Sequence, residues 1–378
     1  MALDALDPFN VKRQFDRVTA LRDSAAQLTV RASDIQFLSN ARRALLPLPV
    51  VDRPQAIPAD MFPPFESLPI PYLRGKRVGF VGSGGSGASV ALVGMARAFE
   101  EAGVEPDAIS ACSGSAIWGS MWAAGLGADE MAEFSLAWRP QDYLDIQWLR
   151  LPRFALSALR GFTGLAKGEA LERLFDRRLW HMTAGETAIP LHTIVYNMDR
   201  GRLEYFGSEE TPHLTIGELV RIAIALPLFI EAVRVEEDLY VDGGVVDAFP
   251  AEPLIEDGGF DHVFGMNVFL PPGLEGEDIS GWEQRGGGAG LLDASRQLRY
   301  ANHVELARRS KARLGDSLTL IEPAAYSELH GFAFYDLFLD RRKWPRLMRQ
   351  GYEAATEALA PFRRRRTARA KAGAPSRR

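Results

Sequence analysis

The sequence has only one cysteine, Cys112, among its 378 residues. A single cysteine excludes an internal disulfide framework. No apolar run reaches the roughly 18 residues that a transmembrane helix needs. The first residues, MALDALDPFNVKRQF, also lack the basic stretch and the apolar run of a signal peptide. We therefore expect a cytoplasmic protein.

Acidic residues are absent from the C-terminal end of the chain. Residues 363–378 carry eight basic residues and no acidic one, which leaves 36 basic against 49 acidic residues in the rest. Such an acidic body is a poor general binder of nucleic acid, so we expect no nucleic-acid partner. We predict that the tail is a disordered, solvated arm, with contact to anionic lipid as the alternative.

Proline and charge divide the chain into three parts. Residues 1–73 combine a helical extension with an extended connector, because eight of the 23 prolines fall within 47–71. Residues 74–362 form the predicted globular domain, and residues 363–378 form the tail. Inside the domain, segment 146–167 has no Asp or Glu and mixes basic with aromatic and aliphatic residues. A buried helix pair and a helix on a membrane surface explain that pattern equally well.

The most informative stretch joins a strand, a glycine turn, a helix, a second strand and a sharp turn. An apolar run at 78–81 predicts a buried strand, and the glycine turn (residues 82–87) opens an apolar helix that stops at Gly103. The second apolar run, 108–112, leads directly into Ser113-Gly114-Ser115. Strands that alternate with helices along the chain predict an α/β fold with a largely parallel central sheet flanked by helices.

Three kinds of site compete for the glycine turn. A dinucleotide site wants a carboxylate at the end of the second strand, where this chain has Cys112 and Ser113. A phosphate loop of the NTPase type needs Gly-Lys-Ser/Thr, and no lysine lies between Arg77 and Lys167. Acyl transfer uses both turns, because the glycine turn can hold an oxyanion while Ser113 attacks the acyl group.

A serine nucleophile also needs a base. None of the six histidines lies beside a second turn with small neighbours, so we predict structural or surface roles for them. Asp242 ends a predicted strand directly before two glycines, and catalytic groups of open α/β sheets cluster at the carboxyl ends of strands. A shielded carboxylate with a raised pKa can serve as the base. Cys112 is the alternative nucleophile, but Asp242 would oppose its thiolate, and we predict a small buried residue there.

Three motifs, in this order, resemble those of the patatin-like phospholipase family. The glycine-rich oxyanion motif of that family corresponds to residues 84–89, its Gly-x-Ser-x-Gly elbow to 111–115 and its Asp-Gly-Gly to 242–244. The resemblance covers about 77–268 and, more weakly, 318–359. It implies a three-layer α/β/α fold, a lipid or other acyl ester as substrate, hydrolysis of that ester, and no metal or organic cofactor.

The resemblance also assigns the site residues. It implies that Ser113 is the nucleophile, that Asp242 is its base, and that main-chain N–H groups form the oxyanion hole. Those N–H groups belong to Gly84, Gly85 and Ser86. Lipid contact through segment 146–167 or through the tail would then bring the protein to a membrane surface as a peripheral protein.

Four positions depart from the pattern of the family. Ala88 and Ser89 replace its arginine and glycine, and Ala111 and Ser115 replace the two glycines of its elbow. Two further functions therefore stay open: an acyltransferase that uses the same dyad, and a lipid-binding protein with impaired catalysis. Nicotinamide binding ranks last.

Overall fold

The computed structural model describes residues 57–146, 164–274, 291–324, 337–338 and 340–372. The predicted N-terminal helix and most of segment 146–167 lie outside these residues. The strands are β1 (Val78–Gly82), β2 (Ala108–Ala111), β3 (Gly164–Ala166), β4 (Leu191–Asn197), β5 (Arg202–Gly207), β6 (Leu228–Ile230), β7 (Val233–Val235), β8 (Asp238–Asp242), β9 (His262–Met266) and β10 (Leu318–Ile321). The α-helices are α1 (Ala91–Ala102), α2 (Gly114–Ala123), α3 (Ala128–Ala137), α4 (Pro140–Tyr143), α5 (Glu169–Leu179), α6 (Ile216–Ala223), α7 (Glu252–Asp257), α8 (Leu291–Leu314) and α9 (Trp344–Ala372).

One large mixed sheet organises the described part of the chain. Its strands follow the order β10-β9-β1-β2-β4-β8-β7, and β5 also pairs with β4. The run from β10 to β4 is parallel, whereas β8 and β5 are antiparallel to β4 and β7 is antiparallel to β8. Strands β3 and β6 form a separate parallel pair. The prediction of a largely parallel sheet is confirmed, with an antiparallel portion formed by β5, β8 and β7.

Helices cover both faces of this sheet. Successive residues of a strand point to opposite faces, and Phe80 and Val81 of β1 accordingly belong to two different apolar clusters. The cluster around Phe80 includes residues of α1, α2 and α9, and the cluster around Val81 includes residues of α7 and α8. The predicted three-layer α/β/α arrangement is thus confirmed.

The C-terminal helix α9 runs along α1, from the carboxyl ends of the parallel strands to their amino ends. At its start, Trp344 Nε1 donates a hydrogen bond of 2.7 Å to Leu337 O, and the Leu337 carbonyl packs against Gly87 of the glycine turn. Farther along, the ring of Phe362 lies 4.8 Å from the ring of His262, the first residue of β9. The end of α9 therefore leaves the domain at the amino ends of the parallel strands.

The predicted disordered tail is corrected in part by α9. This helix extends to Ala372, so residues 363–372 are helical rather than irregular. Arginine, alanine and lysine make up nearly all of that stretch, and each has a high helix propensity. The predicted boundary at residue 362 therefore falls inside a helix.

The described part of the connector packs on the domain without forming a helix or strand. Leu68 N donates to Glu101 O at 2.6 Å, and Ile70 N donates to Ala102 O at 2.8 Å. These bonds satisfy the last carbonyl groups of α1, which an isolated helix would leave without partners. Ile70 is buried, so this stretch also closes one end of the core.

Candidate active site

Ser113 lies on the sharp turn that the sequence predicts between β2 and α2. Its backbone has φ 52° and ψ −121°, in the region of positive φ that residues other than glycine rarely adopt. A strained nucleophile on a strand-to-helix turn is typical of serine hydrolases, because the turn lifts the hydroxyl clear of the sheet. The side chain is half-buried, whereas both neighbours, Cys112 and Gly114, are buried.

The turn fits despite the loss of both elbow glycines. A Cβ at Gly82 would lie 2.6 Å from the Cβ of Ser115, so the glycine in β1 provides the room that Ser115 takes. The Ser115 hydroxyl donates to Ser83 O and thereby ties the elbow to the glycine turn. Gly114 is the second position that requires glycine, since a Cβ there would collide with the backbone of Ser86.

Asp242 reaches the same level of the sheet through β4. Ala111 of β2 pairs with Thr193 of β4, so Ser113, two residues on, is level with Val195. Val195 in turn pairs with Asp242 of the antiparallel strand β8. The sheet register therefore brings Ser113 and Asp242 together from opposite sides of β4.

Asp242 is 1% exposed, and its carboxyl group is incompletely hydrogen-bonded. Its Oδ1 accepts a hydrogen bond of 2.8 Å from Gly244 N, while Oδ2 is buried and accepts none from the described residues. Burial raises the pKa of Asp242 from 3.8 to about 7, although the Ser113 hydroxyl and the Gly244 N–H lower it. The Ser113 hydroxyl is therefore close enough to lower the pKa of the carboxyl group, but it does not form a hydrogen bond of ordinary geometry with it. Catalytic hydrogen bonds are often long or poorly aligned before substrate binds.

The predicted oxyanion donors divide into two groups. Gly84 N donates to Ala248 O at 2.8 Å, so this N–H is already engaged, and we correct the prediction that it faces the substrate. The N–H groups of Gly85 and Ser86 have no acceptor among the described residues and open the 3-10 helix Ser86–Val90. Ser86 has φ 49°, a left-handed backbone conformation that residues other than glycine rarely adopt.

The N–H of Gly114 is a further candidate oxyanion donor, which the sequence motifs did not indicate. This group begins α2 directly after Ser113 and has no acceptor among the described residues. In strand-to-helix elbows the N–H after the nucleophile contributes to the oxyanion hole. The close packing of Gly114 on Ser86 places it beside the glycine turn. The general geometry of such elbows was the signal that could have identified it.

Cys112 has the buried structural position that the sequence predicts. Its thiol is fully buried and points to Asp247 O at a distance of 3.7 Å. Burial, followed by the carboxylates of Asp242 and Asp247, raises the pKa of the thiol well above its usual range. A thiol held neutral in this way is a poor nucleophile.

Two of the histidines have partners that account for them. His192 Nδ1 lies 2.9 Å from Glu210 Oε1, and His262 Nε2 lies 2.8 Å from Thr319 Oγ1. Within the described ranges, no group of three His, Cys, Asp or Glu side chains is placed to hold a metal ion. The absence of a metal or cofactor from the reaction stays a prediction. None of the helices in the described ranges combines the length and apolar character needed to cross a bilayer.

The fold and the site together define a three-layer α/β domain with a serine elbow and one buried carboxylate. Residues 80–255 match the family model described as patatin-like phospholipase. The resemblance that the three motifs predict is thereby confirmed for this segment of the chain.

Known relatives share this part of the chain at low identity. The lysophospholipase NTE1 of Cryptococcus neoformans is 24% identical over 310 residues, which cover 77% of this chain and 18% of that protein. Neuropathy target esterase sws of Drosophila melanogaster is 22% identical over 219 residues, covering 56% of this chain and 14% of that protein. The chain thus spans less than a fifth of the length of these curated relatives.

Two of the solved structures that are similar to this chain align with most of its length. VipD from Legionella pneumophila has a TM-score of 0.45 at 14% identity and covers 76% of this chain and 67% of its own. Human GIVD cytosolic phospholipase A2 has a TM-score of 0.45 at 11% identity and covers 89% of this chain and 63% of its own.

Proposed function

We propose that this protein is a serine acyl hydrolase that cleaves carboxylic esters of lipids through an acyl-enzyme on Ser113. The observation that carries the proposal is the pairing of Ser113, at φ 52°, with a buried carboxyl group whose pKa is raised to about 7. An acid with this pKa is half ionised near neutral pH, where a general base is most effective. The match to the patatin-like family model supports the same chemistry.

The proposed reaction proceeds in two stages. In the first stage, Ser113 Oγ attacks the ester carbonyl carbon as its proton moves to Asp242 Oδ2, and the carbonyl oxygen becomes an oxyanion. The N–H groups of Gly85, Ser86 and Gly114 donate to this oxyanion. The tetrahedral intermediate collapses, and the leaving alcohol takes the proton from Asp242. In the second stage, Asp242 accepts a proton from a water molecule as that water attacks the acyl-enzyme. The second tetrahedral intermediate then collapses, Ser113 Oγ takes the proton back from Asp242 as its bond to the acyl carbon breaks, and the fatty acid leaves.

The pH dependence of turnover tests the role of Asp242. The ionised carboxylate is the active base, so ester hydrolysis should rise with pH and reach half of its maximum near pH 7. Initial rates in a pH-stat measure this directly, without a pH-sensitive chromophore. A rate that is constant through this region, or that falls as pH rises, would contradict the assignment.

Lipid esters are the proposed substrates. The match to the patatin-like phospholipase family model favours an acyl lipid ester over a small polar ester. The relatives named lysophospholipase and esterase suggest a panel of lysophospholipids, phospholipids and neutral acyl esters.

Product analysis on that panel separates hydrolysis from the alternatives. Release of free fatty acid by the wild type, absent from Ser113→Ala, would support the hydrolase. Transfer of the acyl chain to an added alcohol or lysophospholipid would identify an acyltransferase that uses the same dyad. Lipid binding without turnover on any ester would favour the impaired, lipid-binding alternative.

Deletion of residues 364–378 tests lipid contact by the basic tail. Seven basic residues would be lost from the end of α9 and from the residues after it, and each is worth about 1 kcal/mol near an anionic surface. We expect co-sedimentation with phosphatidylserine-containing liposomes to fall by at least about tenfold. Cleavage of a soluble ester should be unchanged, because α9 leaves the domain at the amino ends of the parallel strands, whereas Ser113 follows the carboxyl end of β2. Equal co-sedimentation of both proteins would exclude a role for the tail in lipid contact.

A further inference from the structure

Segment 247–250, which we call the brace, bonds to all parts of the site although it holds none of the proposed reacting groups. Three donors reach its main-chain carbonyls. Gly84 N donates to Ala248 O at 2.8 Å, and Cys112 Sγ points to Asp247 O at 3.7 Å. The Ser110 hydroxyl donates to Pro250 O at 2.5 Å. The brace therefore joins the glycine turn, the elbow and the strand that leads into the elbow.

The brace is also fixed to the Asp242 turn. Asp247 N donates to Gly243 O at 3.1 Å, one residue after Asp242. The Asp247 carboxylate accepts a hydrogen bond of 2.9 Å from Phe249 N, which closes a tight turn inside the brace. All four brace residues are buried. The positions of the nucleophile, the base and the glycine turn are thus coupled through one short stretch of backbone.

We propose that Ser110 is a positioning residue, whose hydroxyl holds the brace so that Ser113, Asp242 and the glycine turn keep their reactive geometry. Ser110 is fully buried in β2, and its hydroxyl is the side-chain donor that holds Pro250 O. It acts through the backbone and touches neither substrate nor reacting atoms. This inference rests on the proposed serine hydrolase mechanism.

Loss of the Ser110 hydroxyl should act on catalysis rather than on substrate binding. Without it, the Pro250 carbonyl loses its donor, and the brace can move relative to β2. A displacement of about 1 Å far from the reacting atoms can cost roughly a hundredfold in rate. We expect Ser110→Ala to lower kcat by at least about tenfold while KM changes by less than about twofold. Ser110→Thr, which keeps the hydroxyl, should recover most of the rate.

Ser120→Ala provides the matched control. Ser120 is also fully buried, and its hydroxyl donates to a main-chain carbonyl, Ile117 O, at 3.0 Å, which lies inside α2 and not in the brace. Both variants remove one buried hydroxyl donor. A merely structural effect would lower the thermal unfolding midpoint in both and leave kcat unchanged in both.

Amide hydrogen exchange supplies a readout that does not depend on turnover. The Gly84 N–H is protected by Ala248 O, so its exchange should accelerate about tenfold in Ser110→Ala and stay at the wild-type rate in Ser120→Ala. Wild-type exchange at Gly84 in Ser110→Ala, or a kcat no lower than that of Ser120→Ala, would overturn the inference. Should Ser110→Ala not fold, Ser110→Cys, of similar size and with a weaker donor, allows the same comparison.

The two proposals fail in different ways. A wild-type protein without Ser113-dependent turnover would refute the proposed function, and exchange at Gly84 would still report on the coupling through the brace. A wild type that cleaves esters, beside a Ser110→Ala variant with unchanged kcat, would refute only the positioning role.

Discussion

Ser113→Ala is expected to lower the rate of p-nitrophenyl ester cleavage by about a thousandfold or more, to the background of the assay. The variant removes the only atom that forms the acyl-enzyme, so no other group can replace it in the proposed mechanism. Alanine also relieves little of the backbone strain at φ 52°, and we expect the unfolding midpoint to change by only about 1–2 °C. Initial rates and a thermal melt of the same preparation measure both quantities.

Covalent labelling distinguishes Ser113 from its neighbour. A fluorophosphonate probe should modify the peptide that contains Ser113 in the wild type and should leave the corresponding peptide of Ser113→Ala unmodified. Mass spectrometry of the digested protein maps the label. Ser120→Ala, with its hydroxyl inside α2, serves as the control and should be labelled at the wild-type rate. Labelling at Cys112, or ester cleavage by Ser113→Ala at the wild-type rate, would remove the mechanism.

Asp242→Asn should abolish turnover and at the same time stabilise the fold at alkaline pH. The amide cannot accept the Ser113 proton, so we expect a loss of about a thousandfold in kcat. Burial raises the pKa of Asp242 to about 7 in the folded protein, against 3.8 as its ordinary value. Ionising this carboxyl group therefore costs folding free energy, and asparagine removes that cost.

The sign of the pH dependence follows from the direction of this shift. Below the ordinary value of 3.8 the carboxyl group is protonated in both states and carries no penalty. The penalty grows as pH rises between the two values and is complete above about pH 7. The gain in unfolding temperature for Asp242→Asn should therefore be roughly 5 °C at pH 8 and clearly smaller at pH 5.

Asp257→Asn is the matched control for this experiment. Asp257 forms an exposed pair with Arg77, whose hydrogen bond holds the pKa of Asp257 below its usual range. Its replacement should leave turnover intact and should not raise the unfolding temperature at pH 8. A similar gain for both variants, or a gain for Asp242→Asn that is larger at pH 5, would contradict the assigned ionisation of Asp242.

The local parts of the site were predictable from the sequence because they depend on short patterns. Glycines after an apolar strand, and Ser113 between small residues after the next strand, each identify a turn from a few neighbouring residues. The fold class followed from the alternation of strands and helices. These predictions needed no knowledge of which strands are neighbours.

The parts that depend on strand pairing were not predictable in the same way. Asp242 was expected at the carboxyl end of a strand in a parallel sheet, yet β8 is antiparallel to β4. Asp242 still meets Ser113 because β4 extends beyond β2, so that the end of β8 is level with the elbow. A register of this kind depends on side chains from distant parts of the chain.

The oxyanion donors show the same limit on a smaller scale. The sequence identifies the glycine turn but not which of its N–H groups is already bonded, and Ala248, more than a hundred residues away, takes that of Gly84. The helical end of α9 was missed for a different reason. Its charge suggested solvation, whereas the propensity of arginine and alanine favours a helix.

The fit between Gly82 and Ser115 has a consequence for how relatives of this domain are recognised. The elbow needs a fixed free volume where β1 passes α2, and in this chain the missing side chain of Gly82 leaves the room that Ser115 takes. We therefore expect the two positions to vary together among relatives, with a side chain at one of them only where the other is glycine. Searches that score the combined size of both residues, instead of demanding glycine at one of them, should find distant members of the family that motif matching passes over.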